Sequence, residues 1–175
     1  RVAGDQGAIP VVFLHGFPET SYMWEPVMGA LAERGHYCVA PDQRGYSPGA
    51  RPDAVEGYDH RNLGQDVLDI AKAMGMTEFH LVGHDWGAGA AWCAVDLDRG
   101  HRIKSLVALS IPHYRAFARA TWASDEGTFY RSVLEDILVP GRVEEAWASD
   151  DYALFRSQWH HHPVEAVERY MQIFG

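Results

Sequence analysis

Over the first hundred residues, short apolar runs alternate with stretches whose apolar residues recur every three or four positions. Val11-Val12-Phe13-Leu14 is an unbroken apolar and β-branched run stopped by His15-Gly16, which predicts a buried strand. Trp24, Val27, Met28 and Leu31 then fall on one helical stripe, with Ser21 as its cap and Gly35 as its end. Tyr37 to Ala40 reads as a second strand, and the Gly-, Pro- and Ser-rich stretch from Asp42 to Pro52 as a loop. Leu63, Val67, Ile70, Ala71 and Met74 line one face of a second helix that Gly75 stops. Phe79 to Val82 is a third strand, Gly87 to Leu97 a helix of small apolar residues, and Ile103 to Leu109 a fourth strand. Strand and helix in this alternation require right-handed crossovers. The expected fold class is therefore α/β, a parallel sheet with flanking helices.

From about Tyr114 the pattern changes to helical, aromatic-rich sequence without an obvious strand. Leu134, Ile137 and Leu138 share a face, Pro140-Gly141 breaks the run, and further helices are expected over 143–147 and 163–174. Residues 114–175 read as an incomplete helical cap laid over the core formed by residues 1–113. Trp122, Trp147, Phe155 and Trp159 read as the core of that cap. The chain opens on Arg1 rather than Met and stops inside the cap, so a processed or fragmentary chain is expected.

Composition narrows the functional classes. With 47% hydrophobic and 22% charged residues among 175, the chain has the make-up of an ordinary globular domain and not of a disordered segment. The net charge of -9 and the scatter of Lys and Arg give no basic stripe, which argues against nucleic acid. No apolar run approaches the roughly 20 residues needed to span a bilayer, so no membrane association is expected. No signal peptide opens the sequence. Cys38 and Cys93 share no motif spacing and read as buried free thiols. These features together predict a cytoplasmic protein.

Two motifs stand where the carboxyl ends of parallel strands collect ligands. Gly83-His84-Asp85-Trp86-Gly87-Ala88 lies between a predicted strand and a predicted helix. A tight strand-to-helix turn raises its central side chain above the sheet. It also needs small residues two places to either side, and Gly83 and Gly87 fill both. Alone, such a string is also an ordinary turn with a capping Asp; its placement after a buried strand favours chemistry. The central residue is a carboxylate, with an unperturbed pKa of about 3.9, so it needs no base to become a nucleophile. It suits displacement at a saturated carbon. The resulting ester is then cleaved by water through an oxyanion that needs two positioned donors. The second motif, His15-Gly16-Phe17-Pro18-Glu19, ends the first strand. Phe17 N–H could pair there with Trp86 N–H to hold the oxyanion. His15 would support this loop by hydrogen bonding, and His84 reads as structural.

His-Gly-Phe-Pro-Glu at 15–19, Ala40-Pro41-Asp42-Gln43-Arg44-Gly45-Tyr46, and Gly-His-Asp-Trp-Gly-Ala at 83–88 together resemble an epoxide hydrolase of the α/β-hydrolase superfamily. The resemblance runs from about Val11 to His113. It implies Asp85 as nucleophile of an ester mechanism, an oxyanion hole from Phe17 and Trp86 N–H, and a cis Phe17–Pro18 bond. It also implies a pocket for a small apolar epoxide walled by Trp86, Phe17 and Pro18, supported by His15, Gly16, Gly83, His84 and Gly87. No cofactor and no metal are implied. His160-His161-His162 reads as solvated surface, because adjacent side chains on a helix diverge.

The match departs from the family in two places. The family's general-base His and its acidic partner follow the cap, and this chain contains neither, so turnover is expected to stop at the ester. The family's cap tyrosine before Pro-Gly is replaced here by Asp136-Ile137-Leu138-Val139 ahead of Pro140, and spacing assigns its role to none of Tyr130, Tyr152 and Tyr170. A haloalkane-dehalogenase-like hydrolase stays open, as does a noncatalytic hydrolase-fold protein. The oligomeric state is open too, a homo-oligomer included.

Overall fold

The computed structural model describes residues 1–123 and, beyond them, residues 145, 149–153, 156–157, 160, 164–165 and 167–168. Five strands form one sheet: β1 (Val2–Ala3), β2 (Ile9–Leu14), β3 (His36–Val39), β4 (Phe79–His84) and β5 (Ile103–Leu109), in the order β1-β3-β2-β4-β5. The pairs β2–β3, β2–β4 and β4–β5 are parallel, as the alternating pattern requires. The two-residue β1 pairs antiparallel with β3, so the sheet is mixed at that edge. Two residues are too short to carry a period, which is why the pattern gives no sign of it.

Side chains of β2 alternate between two cores. Val12 and Leu14 pack with Val67, Leu68 and Ala71 of α2 (His60–Ala73) and with Ala90, Ala91 and Ala94 of α3 (Trp86–Leu97). Val11 and Phe13 face the other way, onto Trp24 and onto Met28 of α1 (Glu25–Ala32). The period-two strand thus buries both faces, and the helices divide between them. The small residues of α3 let α2 approach closely; a Cβ on Gly64 would lie 2.8 Å from Ala94 N.

This arrangement decides where a site can form. The chain passes from β2 through α1 to β3 on one side, then returns through α2 to β4 on the other side of β2. Connections that diverge from neighbouring strands open a crevice at their carboxyl ends, and here that crevice lies between β2 and β4.

Three local expectations are corrected. Ser21 is not the cap of α1: a 3-10 turn over Ser21–Trp24 comes first, Thr20 caps it through Tyr22 N–H, and Ser21 N–H instead donates to Asp42 Oδ1 at 2.9 Å. Val27 leaves the predicted stripe and is exposed, because the 3-10 turn resets the phase of the helix that follows. The strand predicted to end at Val82 runs on to His84, directly into the turn. Cys38 is buried and Cys93 half-buried; both are free thiols.

The chain divides into two compact units, Arg1–Tyr114 and Arg115–Gly175. At the start of the second, α4 (Tyr114–Ala123) is helical. The stripe Leu134, Ile137, Leu138, the break at Pro140-Gly141 and the aromatic residues Trp147, Phe155 and Trp159 lie outside the described residues. So do most of the residues predicted helical over 143–147 and 163–174. Among the described residues no helix is long and apolar enough to cross a membrane.

Candidate active site

Asp85 stands between the end of β4 and the start of α3 with φ 51° and ψ -120°. An L-residue with a side chain rarely adopts a positive φ, and holding one there costs roughly 1–3 kcal/mol. The surroundings over-determine it. Asp85 N–H donates to Leu109 O at 3.1 Å, while Asp85 O accepts Ala88 N–H at 2.9 Å and Gly89 N–H at 3.2 Å. The two flanking glycines are required by contact. A Cβ on Gly83 would fall 2.5 Å from Gly87 O, and one on Gly87 would run into Leu14 O and lie 2.5 Å from His15 O. Strand, turn and helix are therefore pressed together along their backbones, and the Asp85 side chain projects from the turn.

The loop after β2 closes on this carboxylate. Phe17 N–H donates to Asp85 Oδ1 at 3.0 Å, and the Phe17–Pro18 peptide is cis. Gly16 lies so close beneath that a Cβ there would sit 2.5 Å from Asp85 Cβ. Trp86 N–H opens α3, so it has no acceptor within its own helix. The Trp86 ring is partly exposed and lies 5.7 Å, centroid to centroid, from the ring of His60 at the start of α2. Nothing in the sequence pattern singles out His60.

His15 is fully buried beneath the loop, and its bonds settle its proton. Gln43 N–H can only donate, and it lies 3.1 Å from His15 Nε2, so Nε2 accepts and Nδ1 carries the hydrogen that faces Gly16 O at 3.0 Å. Gln43 Nε2 closes the pair by donating to His15 O at 2.5 Å. The histidine thus ties the 15–19 loop to the loop after β3, which Arg44 in turn fastens to α2 by a bidentate pair with Asp66 at 2.7 and 2.6 Å.

Burial lowers the His15 pKa below its ordinary 6.5. A base with a lowered folded pKa binds fewer protons folded than unfolded. It therefore contributes stability that is present above about pH 6.5 and is lost as the pH falls towards the folded value. We expect the unfolding free energy measured by urea titration to drop through that window with a slope of up to about 1.4 kcal/mol per pH unit from this one proton. His15→Gln should be less stable at neutral pH but lack this slope; equal slopes in the two proteins would place the titrating group elsewhere.

Behind Asp85, Glu19 is buried and its Oε2 lies 3.2 Å from His84 Nδ1, close enough for charge pairing although neither atom completes an aligned hydrogen bond. Burial pushes the Glu19 carboxyl up, His84 opposes this, and the neighbouring Asp85 charge adds to it. Tyr46, from the loop after β3, sets its ring edge-on to His15 at 4.5 Å. Burial and the charges of Asp85 and Glu19 push its hydroxyl well above the usual tyrosine range. Glu19 and Tyr46 are visible in the sequence only as letters of their motifs.

The model of the alpha/beta hydrolase fold family matches residues 9–148. This chain belongs to that family. It is 43% identical over 110 residues to Epoxide hydrolase A of Mycobacterium tuberculosis, covering 63% of this chain and 34% of that protein. It is 42% identical over 109 residues to an epoxide hydrolase of Caballeronia sordidicola, covering 62% and 33%. Among solved structures, epoxide hydrolase VrEH1 from Vigna radiata superposes with a TM-score of 0.77 at 28% identity, over 99% of this chain and 62% of that one. A mutant epoxide hydrolase from Bacillus megaterium, complexed with a diol product, gives a TM-score of 0.81 at 25% identity, over 99% and 62%. The chain thus spans about a third of the curated relatives' length and about three-fifths of the solved structures'.

In this chain the crevice brings together Asp85, Phe17, Pro18, Trp86, His15, Gly16, Gly83, His84 and Gly87 at the ends of two neighbouring strands. Tyr130 and Tyr170 lie outside the described residues, as do His161 and His162; Tyr152 is half-buried. His160 Nδ1 lies 2.7 Å from Ser157 O. Among the described residues no three His, Cys, Asp or Glu side chains converge as a metal site would require.

Proposed function

We propose that this chain carries the nucleophilic half of an epoxide hydrolase, with Asp85 forming an ester to an epoxide carbon. The observation that carries this reading is the carboxylate at the elbow, with one oxygen already held. Phe17 N–H occupies Oδ1, which leaves Oδ2 to attack. The C–O bond of the epoxide breaks as the Asp85 ester forms. When water later adds to the ester carbon, negative charge develops on Oδ1, the atom that Phe17 N–H already holds and that Trp86 N–H would hold beside it. The donor is thus in place before the charge appears, which is what lowers the barrier to ester cleavage. The Trp86 ring and the Phe17–Pro18 segment would wall a pocket for a small apolar epoxide. Likeness to the epoxide hydrolases of M. tuberculosis and C. sordidicola supports the epoxide as the substrate class.

The resemblance places the family's general base beyond the cap, so we further propose that the 175-residue chain alone accumulates the ester, with residues 114–175 contributing part of a cap. Incubated with a reactive aryl epoxide, the chain should gain one covalent adduct by intact mass, mapped to Asp85 by peptide sequencing. Asp85→Ala should gain none. A folded wild-type chain that stays unmodified by both an epoxide and an alkyl halide would sink the nucleophile assignment. Modification by the halide alone would favour a dehalogenase-like enzyme.

A further inference from the structure

Trp86, next to Asp85, is 38% exposed at the first residue of α3. An indole so placed has several staggered rotamers open to it, and a pocket wall that is ordered only when substrate arrives weakens binding by the freedom it loses. One contact limits that freedom. The His60 ring lies 5.7 Å from the Trp86 ring, centroid to centroid, with the planes tilted by 36°. His60 is the first residue of α2. Both helices follow parallel strands and begin on the side of their carboxyl ends, so the two rings meet where the crevice opens. The imidazole also lies over Gly89, one turn beyond Trp86 on the same face of α3; a Cβ on Gly89 would be 3.4 Å from His60 Nε2. Its backbone is held from two directions. Asp59 caps α2 by accepting Asn62 N–H at 2.7 Å, and Gly64 is pressed against Cys93 and Ala94 of α3. Among the described residues neither ring nitrogen of His60 takes part in a hydrogen bond, so its contacts with α3 are ring contacts.

We propose that His60 is a positioning residue that holds the Trp86 indole in one orientation and thereby sets how tightly the site binds an epoxide carrying an aryl group. The inference rests on the reading of Asp85 as the nucleophile and of Trp86 as a wall of its pocket. His60 is itself exposed, so its ring adds little to either core of the sheet. What it does is pack against an aromatic ring that would otherwise be free on one face, and such a pair is worth about a three- to tenfold change in an equilibrium. The wall is then formed before the substrate arrives. An aryl group that lies along the indole gains from this, whereas a short alkyl group, which covers little of the ring, does not. The chemical step is untouched, because His60 meets neither Asp85 Oδ1, held by Phe17 N–H, nor the backbone N–H of Trp86. His60 therefore acts on binding, through Trp86.

The test follows adduct formation on the whole chain against concentration, with styrene oxide and with propylene oxide. His60→Ala should raise the half-saturating concentration of styrene oxide about three- to tenfold, with the limiting rate within about twofold of wild type and propylene oxide little affected. His60→Phe, which keeps a ring and loses both nitrogens, should restore the wild-type value. The decisive arm is a double-mutant cycle. Trp86→Ala should weaken the binding of styrene oxide by itself, and adding His60→Ala to it should change nothing further. A His60→Ala effect that persists without the indole, or that falls equally on both epoxides, would mean that His60 acts through the fold of α2 and overturns the proposal. So would a loss confined to the limiting rate, or no effect at all; each of these leaves Asp85 as nucleophile. A wild-type chain that forms no adduct with either epoxide removes the nucleophile and this proposal together.

Discussion

Gly87→Ala should abolish the cooperative unfolding transition of this chain. A Cβ at position 87 would meet the carbonyl oxygens of both Leu14 and His15, the latter at 2.5 Å, and neither can retreat as a flexible side chain could. Leu14 ends β2 and His15 follows it directly, and β2 is the strand that stands at the centre of the sheet and packs against both cores. Relief would mean lifting α3 off β2, which strips Ala90, Ala91 and Ala94 from the larger core. A clash between two backbones belongs with the rare substitutions that cost about 4 kcal/mol or more, most of the margin of an ordinary domain. Gly29→Ala is the matched control. That position lies inside α1, with nothing within 4 Å of the added Cβ, so the change should stabilise by about 0.5–1 kcal/mol. Urea denaturation followed by circular dichroism reads both. A Gly87→Ala variant with a midpoint near that of wild type would show that strand and helix are not pressed together as described.

The glycine contact explains why the fold was readable from the chain. Val11 to Leu14 could only be a buried strand, and α2 and α3 carry their apolar residues on single faces, because here burial follows period and nothing competes with it. Where local hydrogen bonding competes with period, the reading slips. Thr20 and Asp42 organise the entry to α1 through side-chain bonds to Tyr22 N–H and Ser21 N–H, and no stripe of apolar residues reports on such bonds. Asp59 is a second case: it caps α2 by accepting Asn62 N–H at 2.7 Å, four residues ahead of Leu63, the first apolar position. The antiparallel β1 is a third, since pairing to β3 rather than any internal pattern makes it a strand.

The candidate site divides along the same line. Gly83, Asp85 and Gly87 could be read together because one turn imposes all three. The partnership of Phe17 with Asp85 crosses 68 residues, and only the placing of both motifs at strand ends, reinforced by likeness to a family, suggests it. His15 was expected to brace the loop, but its partner Gln43 and its tautomer follow from three-dimensional register alone. Glu19, Tyr46 and His60 were missed for a related reason. A buried carboxylate, a half-buried phenol and an exposed imidazole have no spacing signature, and what sets them apart is the charge or ring each one faces.

Gly16→Ala is expected to separate the reaction from the fold. The added Cβ would lie 2.5 Å from Asp85 Cβ, 2.9 Å from Asp85 Oδ1 and 3.1 Å from His84 Nδ1, all of them side-chain atoms. Unlike position 87, position 16 does not drive one backbone into another. Rotation of the side chain does not move Asp85 Cβ, so the 15–19 loop must lift slightly off the turn while the carboxylate turns aside, at a cost of about 1–3 kcal/mol, the usual price of a methyl group too many. That turn breaks the bond from Phe17 N–H to Oδ1 and moves Oδ2 off its line of attack. A displacement of about 1 Å in a reacting group costs on the order of a hundredfold in rate, and the lost donor should deepen the effect. Gly16→Ala should therefore keep a cooperative melt while forming the Asp85 adduct at least about a hundredfold more slowly, with epoxide and with alkyl bromide alike. A folded Gly16→Ala chain alkylated at the wild-type rate would mean that Asp85 reacts from a position other than the one in which Phe17 holds it.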